Sequence, residues 1–149
     1  MKKAAMDSNK FDLERFLKAQ EGVYPYALQE MKNGSKETHW MWFIFPQLKS
    51  LGRSDTAIYY GIENIEEAKA YLAHPILGMR LREISAALLT IENNDPLELM
   101  GYPDNLKLCS SMTLFSRATE DNSIFVKVIY KFYGGAFDTY TLMAVDGWK

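Results

Sequence analysis

Nine consecutive residues hold the densest chemistry in the chain: His39-Trp40-Met41-Trp42-Phe43-Ile44-Phe45-Pro46-Gln47. Each aromatic ring there can bury about 150–250 Å², and a polar side chain stands at each end. Such a segment can be one wall of a ligand pocket: apolar faces with a few placed polar groups. Trp40 or Trp42 would stack on a flat ring, an interaction worth roughly 1–3 kcal/mol per base. His39 could act as a general acid or base, and Gln47 could read a ligand edge. The same composition also suits the central element of a core, where most aromatic runs end up. A buried tryptophan would then need an acceptor for its indole N–H.

A second cluster is Lys107-Leu108-Cys109-Ser110-Ser111-Met112-Thr113-Leu114-Phe115. Serine and threonine compete with helical backbone hydrogen bonds, so three hydroxyls inside an apolar segment conflict with their local setting. Conflicts of that kind are expected at functional sites. Lys107 could hold a phosphate or carboxylate while Ser110, Ser111 and Thr113 donate to it. Alternatively, the hydroxyls bond back to carbonyls of a buried helix. Cys109, the single cysteine, sits among leucines as an inert buried thiol would.

Two further positions stand out. His74, directly before Pro75, is either the fixing residue of a helix-to-helix corner or a second general acid or base. Gly78 just beyond it weakens a helix start, which points to a close backbone approach. Arg53, in Gly52-Arg53-Ser54-Asp55, offers a forked donor to an anion beside a helix start. An ordinary capped turn reads the same way, because the spacing is not that of a phosphate-binding loop.

The elements that must position these residues read as helices. The apolar spacing predicts helices over 11–21, with Asn9 as a cap, and over 25–32, ended by Gly34. Residues 40–45 are continuously apolar and fit a buried strand or a helical turn equally. A loop follows over 47–54. Short helices are expected from an Asp55 cap to Tyr60 and from Glu63 or Asn64 to Ala73. The clearest rhythm, Ile76-Leu77-Leu81-Ile84-Leu88-Ile91, predicts a helix over 75–93. Asp95-Pro96 opens a short one to Met100. Later helices are expected over 105–118, from a Ser123 cap to Tyr133, and from an Asp138 cap to Val145. Strand signals are absent. The expected fold is therefore all-α, a single compact multi-helix domain over residues 1–149 with its ordered core at about 11–146 and a buried aromatic central segment.

Composition narrows the function. The 149 residues suit one domain, 48% are apolar and 24% charged, and the formal net charge is −2. That balance argues against nucleic acid as a partner, since such binders carry a strongly basic face. One cysteine and two histidines exclude an intrachain disulfide, a cysteine-rich zinc site and a three-histidine metal site. No metal and no cofactor are expected. No apolar run reaches the ~18 residues of a membrane span, and none of signal-peptide length follows Lys2-Lys3. No membrane partner is expected, and the compartment read from these signals is the cytoplasm.

The motifs taken together resemble the bacterial family known as domain of unknown function 1810. The resemblance rests on His39 to Leu48, Leu51-Gly52-Arg53-Ser54, Ala70 to Gly78, Asp104 to Phe115, Gly134-Gly135 and Asp138 to Leu142. It implies a mainly helical fold and no settled activity. It also implies a basic or variable residue at position 109, which argues against Cys109 as a nucleophile. A fainter likeness is to a helical family that handles ADP-ribose, removing it from riboflavin precursors or modified guanine; it rests on size, helical content and the closing Phe-rich helix.

The expectation is a protein that binds or hydrolyses a nucleotide or ADP-ribose-like small molecule in an aromatic pocket. Trp40, Trp42 and Gln47 would contact the ring. Arg53, Lys107, Ser110, Ser111 and Thr113 would hold the anion, and His39 or His74 would move protons. The competing expectation is a non-enzymatic protein-interaction module whose aromatic segment is a partner patch.

Overall fold

Ten α-helices and one 3₁₀ turn account for the regular structure of residues 10–147, which the computed structural model describes. The expected Asn9 cap lies outside them. In chain order the helices are α1 (Glu14–Gln20), α2 (Tyr24–Lys32), α3 (Met41–Ile44), α4 (Asp55–Tyr59), α5 (Ile65–Ala73), α6 (Leu77–Leu88), α7 (Pro96–Met100), α8 (Asp104–Ser116), α9 (Ser123–Tyr133) and α10 (Thr139–Asp146). The 3₁₀ turn is Lys49–Leu51. No strand occurs among the described residues; the single β-bridge pairs Leu48 with Ile62. The fold class is all-α.

Helix α8 is the centre. It packs against α5, α7, α9 and α10, and every residue from Ser110 to Ser116 is buried. A helix covered on all sides needs no apolar stripe, and small hydroxyl side chains let its neighbours approach. Helix α6 runs alongside, in contact with α2, α5 and α9. One apolar cluster joins Phe16, Met31, Trp40, Phe45, Tyr71, Leu81, Phe115 and Phe125.

Local chemistry explains most boundaries. Asn64, Asp95 and Asp138 each accept a backbone N–H at the start of α5, α7 and α10. Gly134 ends α9 in the left-handed conformation, with φ 63°. Three starts or lengths differ from expectation. Ser54, not Asp55, caps α4: its Oγ accepts from Ala57 N–H at 3.1 Å, and Asp55 becomes the first helical residue. Ser123 is not the cap of α9; Asn122 precedes the helix and spends its amide on the Ser116 carbonyl, at 2.8 Å.

Helix α6 is shorter than its apolar rhythm. At its start His74 Nδ1 accepts from Ile76 and Leu77 N–H, at 3.1 and 3.3 Å, and holds Pro75-Ile76 as a turn. At its end the Thr90 hydroxyl donates to the Ala87 carbonyl, at 2.7 Å.

The close approach expected at Gly78 is present. A Cβ there would lie 2.1 Å from the Leu72 carbonyl oxygen, so α5 and α6 meet backbone to backbone. Gly61 is a second such contact: a Cβ would lie 2.3 Å from Lys49 Cα. That contact brings together the two arms of the Gln47–Ile62 segment. The Lys49 N–H donates to Ile62 O at 2.8 Å, and the Ile62 N–H donates to Gln47 O at 2.9 Å. A buried ion pair fixes the segment to α1. Arg15 meets Glu67 at 2.9 Å and also donates to the carbonyls of Tyr59 and Gly61, at 2.8 Å each.

No helix among the described residues is long and apolar enough to cross a membrane.

Candidate functional site

The aromatic segment divides between core and cleft. Residues 41–44 form a single helical turn, so consecutive side chains leave it in different directions. Trp40, Met41, Ile44 and Phe45 point inward and are buried. Trp40 is fully enclosed, and its indole N–H donates to Glu30 Oε1 at 2.8 Å. The acceptor that a buried tryptophan requires is therefore supplied by α2. Trp42 and Phe43 are half-buried.

Trp42 borders a region where three segments converge. A cleft of about 490 Å³ opens between the Gln47–Ser54 loop, α8 and the start of α10. That volume falls within the roughly 300–1,000 Å³ of small-molecule sites. Gln47, Arg53 and Ser54 line one wall. Leu106, Lys107 and Ser110 line the second, and Asp138 and Tyr140 the third. Tyr102, at the head of α8, closes the rim. A second, much smaller space of about 10 Å³ shares Gln47, Ala57 and Lys107 with the cleft and is bordered by Trp42, Phe45 and Tyr60.

Two cations, Arg53 and Lys107, and one carboxylate, Asp138, line the cleft. Asp138 is occupied as the cap of α10, accepting from the Thr141 N–H and hydroxyl at 3.0 and 2.6 Å. Asp104 pairs with Lys36 at 3.0 Å and meets Lys107 only at 3.8 Å. The Lys107 ammonium instead rests over the Trp42 ring, 5.6 Å from its centroid. Among the described residues, the side chains of Gln47 and Arg53 form no hydrogen bond or ion pair. Arg53 and Lys107 thus face the cleft with charge left to offer.

Of the residues singled out by sequence, Gln47, Arg53, Lys107 and Ser110 share this cleft, and Trp42 stands behind it. The others lie elsewhere. His39 is exposed ahead of α3 and lines neither space. His74 is the α5–α6 corner, bordering a separate surface hollow with Pro75, Met79 and Arg82. Trp40 is core. Thr113 is buried, and its hydroxyl accepts the Asp138 N–H at 2.9 Å, which ties α8 to α10. Ser111 is buried without a partner for its hydroxyl. Ser110 carries the expected back-bond, donating to the Leu106 carbonyl at 3.3 Å.

Both aromatic residues of the cleft escaped the sequence reading. Tyr102 and Tyr140 are 77% and 71% exposed. Their signal was an aromatic placed in a turn, Gly101-Tyr102-Pro103, and another just after a helix cap; exposed aromatics on connecting segments often mark binding surfaces.

Cys109 lies outside the cleft. Its thiol donates to the Ala136 carbonyl at 3.4 Å. Burial, with the Asp138 carboxylate adding to it against a Thr113 hydrogen bond, pushes its pKa up to about 11. No three His, Cys, Asp or Glu side chains gather as a metal-ligand cluster among the described residues.

Comparison with known proteins agrees with the fold. The family described as "Protein of unknown function (DUF1810)" matches residues 10–145. The crystal structure of the conserved hypothetical protein Rv1873 from Mycobacterium tuberculosis is similar, with 47% sequence identity and a TM-score of 0.91. The match covers 93% of this chain and 99% of that one. No curated protein matches the chain.

Proposed function

The chain belongs to the DUF1810 family, proteins of unknown function, and on that premise we propose that it binds a small anionic molecule carrying a planar ring, of the nucleotide or ADP-ribose class. The site is the cleft between the Gln47–Ser54 loop, α8 and α10. One observation carries the reading: Gln47 and Arg53 of one loop and Lys107, distant in sequence, meet at one cleft with two cations and an unpartnered amide. Arg53 offers a forked donor and Lys107 a mobile point charge to phosphate oxygens. Tyr102 and Tyr140 offer ring faces at the rim.

No histidine lines the cleft, which favours binding over hydrolysis. Burial of Trp40, Met41 and Phe45 counts against the rival reading of that segment as a protein-docking patch.

Calorimetric titration of the full chain with ADP-ribose, NAD and the common nucleotides tests the proposal. Saturable heat is expected from at least one of them, weakened by Arg53→Ala and by Lys107→Ala. Absence of heat across the whole panel, with the protein folded, refutes it.

A further inference from the structure

Asp138 supplies the carboxylate on the cleft wall, and three hydrogen bonds hold it in place. Its backbone N–H donates to the Thr113 hydroxyl at 2.9 Å. Its Oδ2 accepts from both the N–H and the hydroxyl of Thr141, at 3.0 and 2.6 Å. Thr113 and Thr141 have no exposed surface, so the carboxylate is anchored to the core through both. Its side chain has little rotamer freedom left to lose when a ligand arrives.

Capping α10 uses one oxygen of the two. Among the described residues Oδ1 takes no hydrogen bond, and it is not enclosed. It is a fixed acceptor open to solvent or to a ligand. Nor does Asp138 form an ion pair with Arg53 or Lys107, although all three line the same cleft. Opposite charges that share a cleft without meeting leave room between them for a molecule that answers both. Such a molecule carries an anion for the two cations and a hydrogen-bond donor for the carboxylate.

We propose that Asp138 Oδ1 accepts the hydroxyls of a ribose whose phosphate is held by Arg53 and Lys107, so that the cleft selects ribonucleotides over analogues without those hydroxyls. The inference rests on the nucleotide reading above and names the part of the ligand that Asp138 reads. An ionised carboxylate is an acceptor only, and it is the group that dinucleotide sites present to a ribose hydroxyl. A bond to a charged acceptor is stronger than one between neutral groups. An anion that brings no donor meets Asp138 as a like charge and gains no bond from it.

Calorimetric titration of the full chain with ADP, its dideoxy analogue lacking both ribose hydroxyls, inorganic pyrophosphate and O-phosphoethanolamine tests this. ADP is expected to bind roughly tenfold tighter than each of the others. Asp138→Asn keeps a side-chain oxygen for the cap, because asparagine caps helices as well as aspartate does, and puts an amide donor where the free acceptor was. In that variant the preference for ADP over the dideoxy analogue should vanish. The ratio of the two affinities is the readout, since loss of the negative charge acts on both ligands alike. A thermal melt establishes that the variant is folded.

If the dideoxy analogue or pyrophosphate binds as tightly as ADP, or Asp138→Asn keeps the preference, the ribose contact is refuted while the anion cleft stands. If O-phosphoethanolamine binds as tightly as ADP, the donor that Asp138 takes is an ammonium and the ribose assignment is refuted. If ADP gives no heat, the inference falls, and titration with ADP-ribose and NAD decides whether the cleft reading falls with it.

Discussion

The indole N–H of Trp40 donates to Oε1 of Glu30 across 2.8 Å, from a ring with no exposed surface. The same carboxylate accepts from the backbone N–H groups of Glu37 and Thr38 and from the Thr38 hydroxyl, at 2.8, 3.1 and 2.6 Å. One side chain on α2 thus organises the whole approach to the aromatic segment.

Burial opposes ionisation of Glu30, but these hydrogen bonds outweigh it and hold the carboxyl below its ordinary value of 4.5. A depressed folded pKa stabilises the fold above the unfolded value, and the contribution disappears as pH falls through the folded one. Denaturation measured below about pH 4.5 should therefore show a loss of stability that is smaller in Glu30→Gln. Glu30→Ala, which leaves the indole N–H without its acceptor, should cost about 1–3 kcal/mol at neutral pH. A neutral-pH stability equal to wild type would show that the indole does not depend on this bond.

The Arg15–Glu67 pair is buried on both sides. Removing one partner strands a charge away from water, at a cost of about 3–5 kcal/mol. Glu67→Ala should lower the urea midpoint by that free energy divided by the slope, with the slope itself unchanged. Since Arg15 also holds the Tyr59 and Gly61 carbonyls, Arg15→Met should in addition raise amide exchange along the Gln47–Ile62 segment. Unchanged exchange there would separate Arg15 from the cleft wall.

Gly78→Ala should destabilise by about 3 kcal/mol, since the new methyl would meet the Leu72 carbonyl rather than a flexible side chain. The same substitution at Gly34, which has open space around it but φ 79°, should cost only the backbone strain, about 1 kcal/mol. Equal melting temperatures for the two variants would contradict the close approach of α5 and α6.

Alkylation of Cys109 should be slow at pH 8, because the reactive species is the thiolate and the thiol pKa is pushed up to about 11. The rate should climb toward that value rather than level off near the ordinary 9.0. Rapid labelling at pH 8 would indicate an environment more open than the one described.

Arg53→Ala should leave stability within about 0.5 kcal/mol, as an exposed side chain without described partners. It should nonetheless weaken an anionic ligand by roughly tenfold, the loss of one charge-assisted hydrogen bond. Lys107→Met, which keeps apolar contact with Trp42 and removes the charge, should do the same to the ligand. Ligand affinity unchanged in both variants would move the anion site elsewhere.

Much of the helical layout follows from local chemistry. Pro25 and Gly34 bound α2, Asp95-Pro96 and Gly101 bound α7, and Gly134 ends α9; each residue acts within its own turn. The apolar rhythm of α6 was legible too, but not its length. There the competitors for backbone hydrogen bonds, the His74 ring and the Thr90 hydroxyl, were side chains whose rotamers no sequence pattern states. Residues 40–45 were ambiguous between strand and helical turn for the reason that a fully apolar run carries no period.

The candidate cleft was legible in part. Gln47 was marked as the polar end of the aromatic run, Arg53 and Lys107 as cations for an anion, and Ser110 as a hydroxyl in conflict with its apolar helix. Trp40 and Trp42 could not be told apart: they are two residues away from each other, and only the packing of α3 against α1 turns one inward and leaves the other beside Lys107. Ser111 and Thr113 looked like ligand groups, but α8 is enclosed by four other helices and both are buried. His39 and His74 lie outside the cleft, His39 exposed ahead of α3 and His74 at the α5–α6 corner.

By itself, then, the sequence determined the all-α class, most helix ends and the two cations, because propensity, capping and charge act within a few residues. The tertiary structure alone decided that Gln47 and Arg53 face Lys107. That meeting depends on the Leu48–Ile62 bridge, the Gly61 contact and the Arg15 anchor, which join residues far apart in the chain and exist only once the core has closed around Trp40.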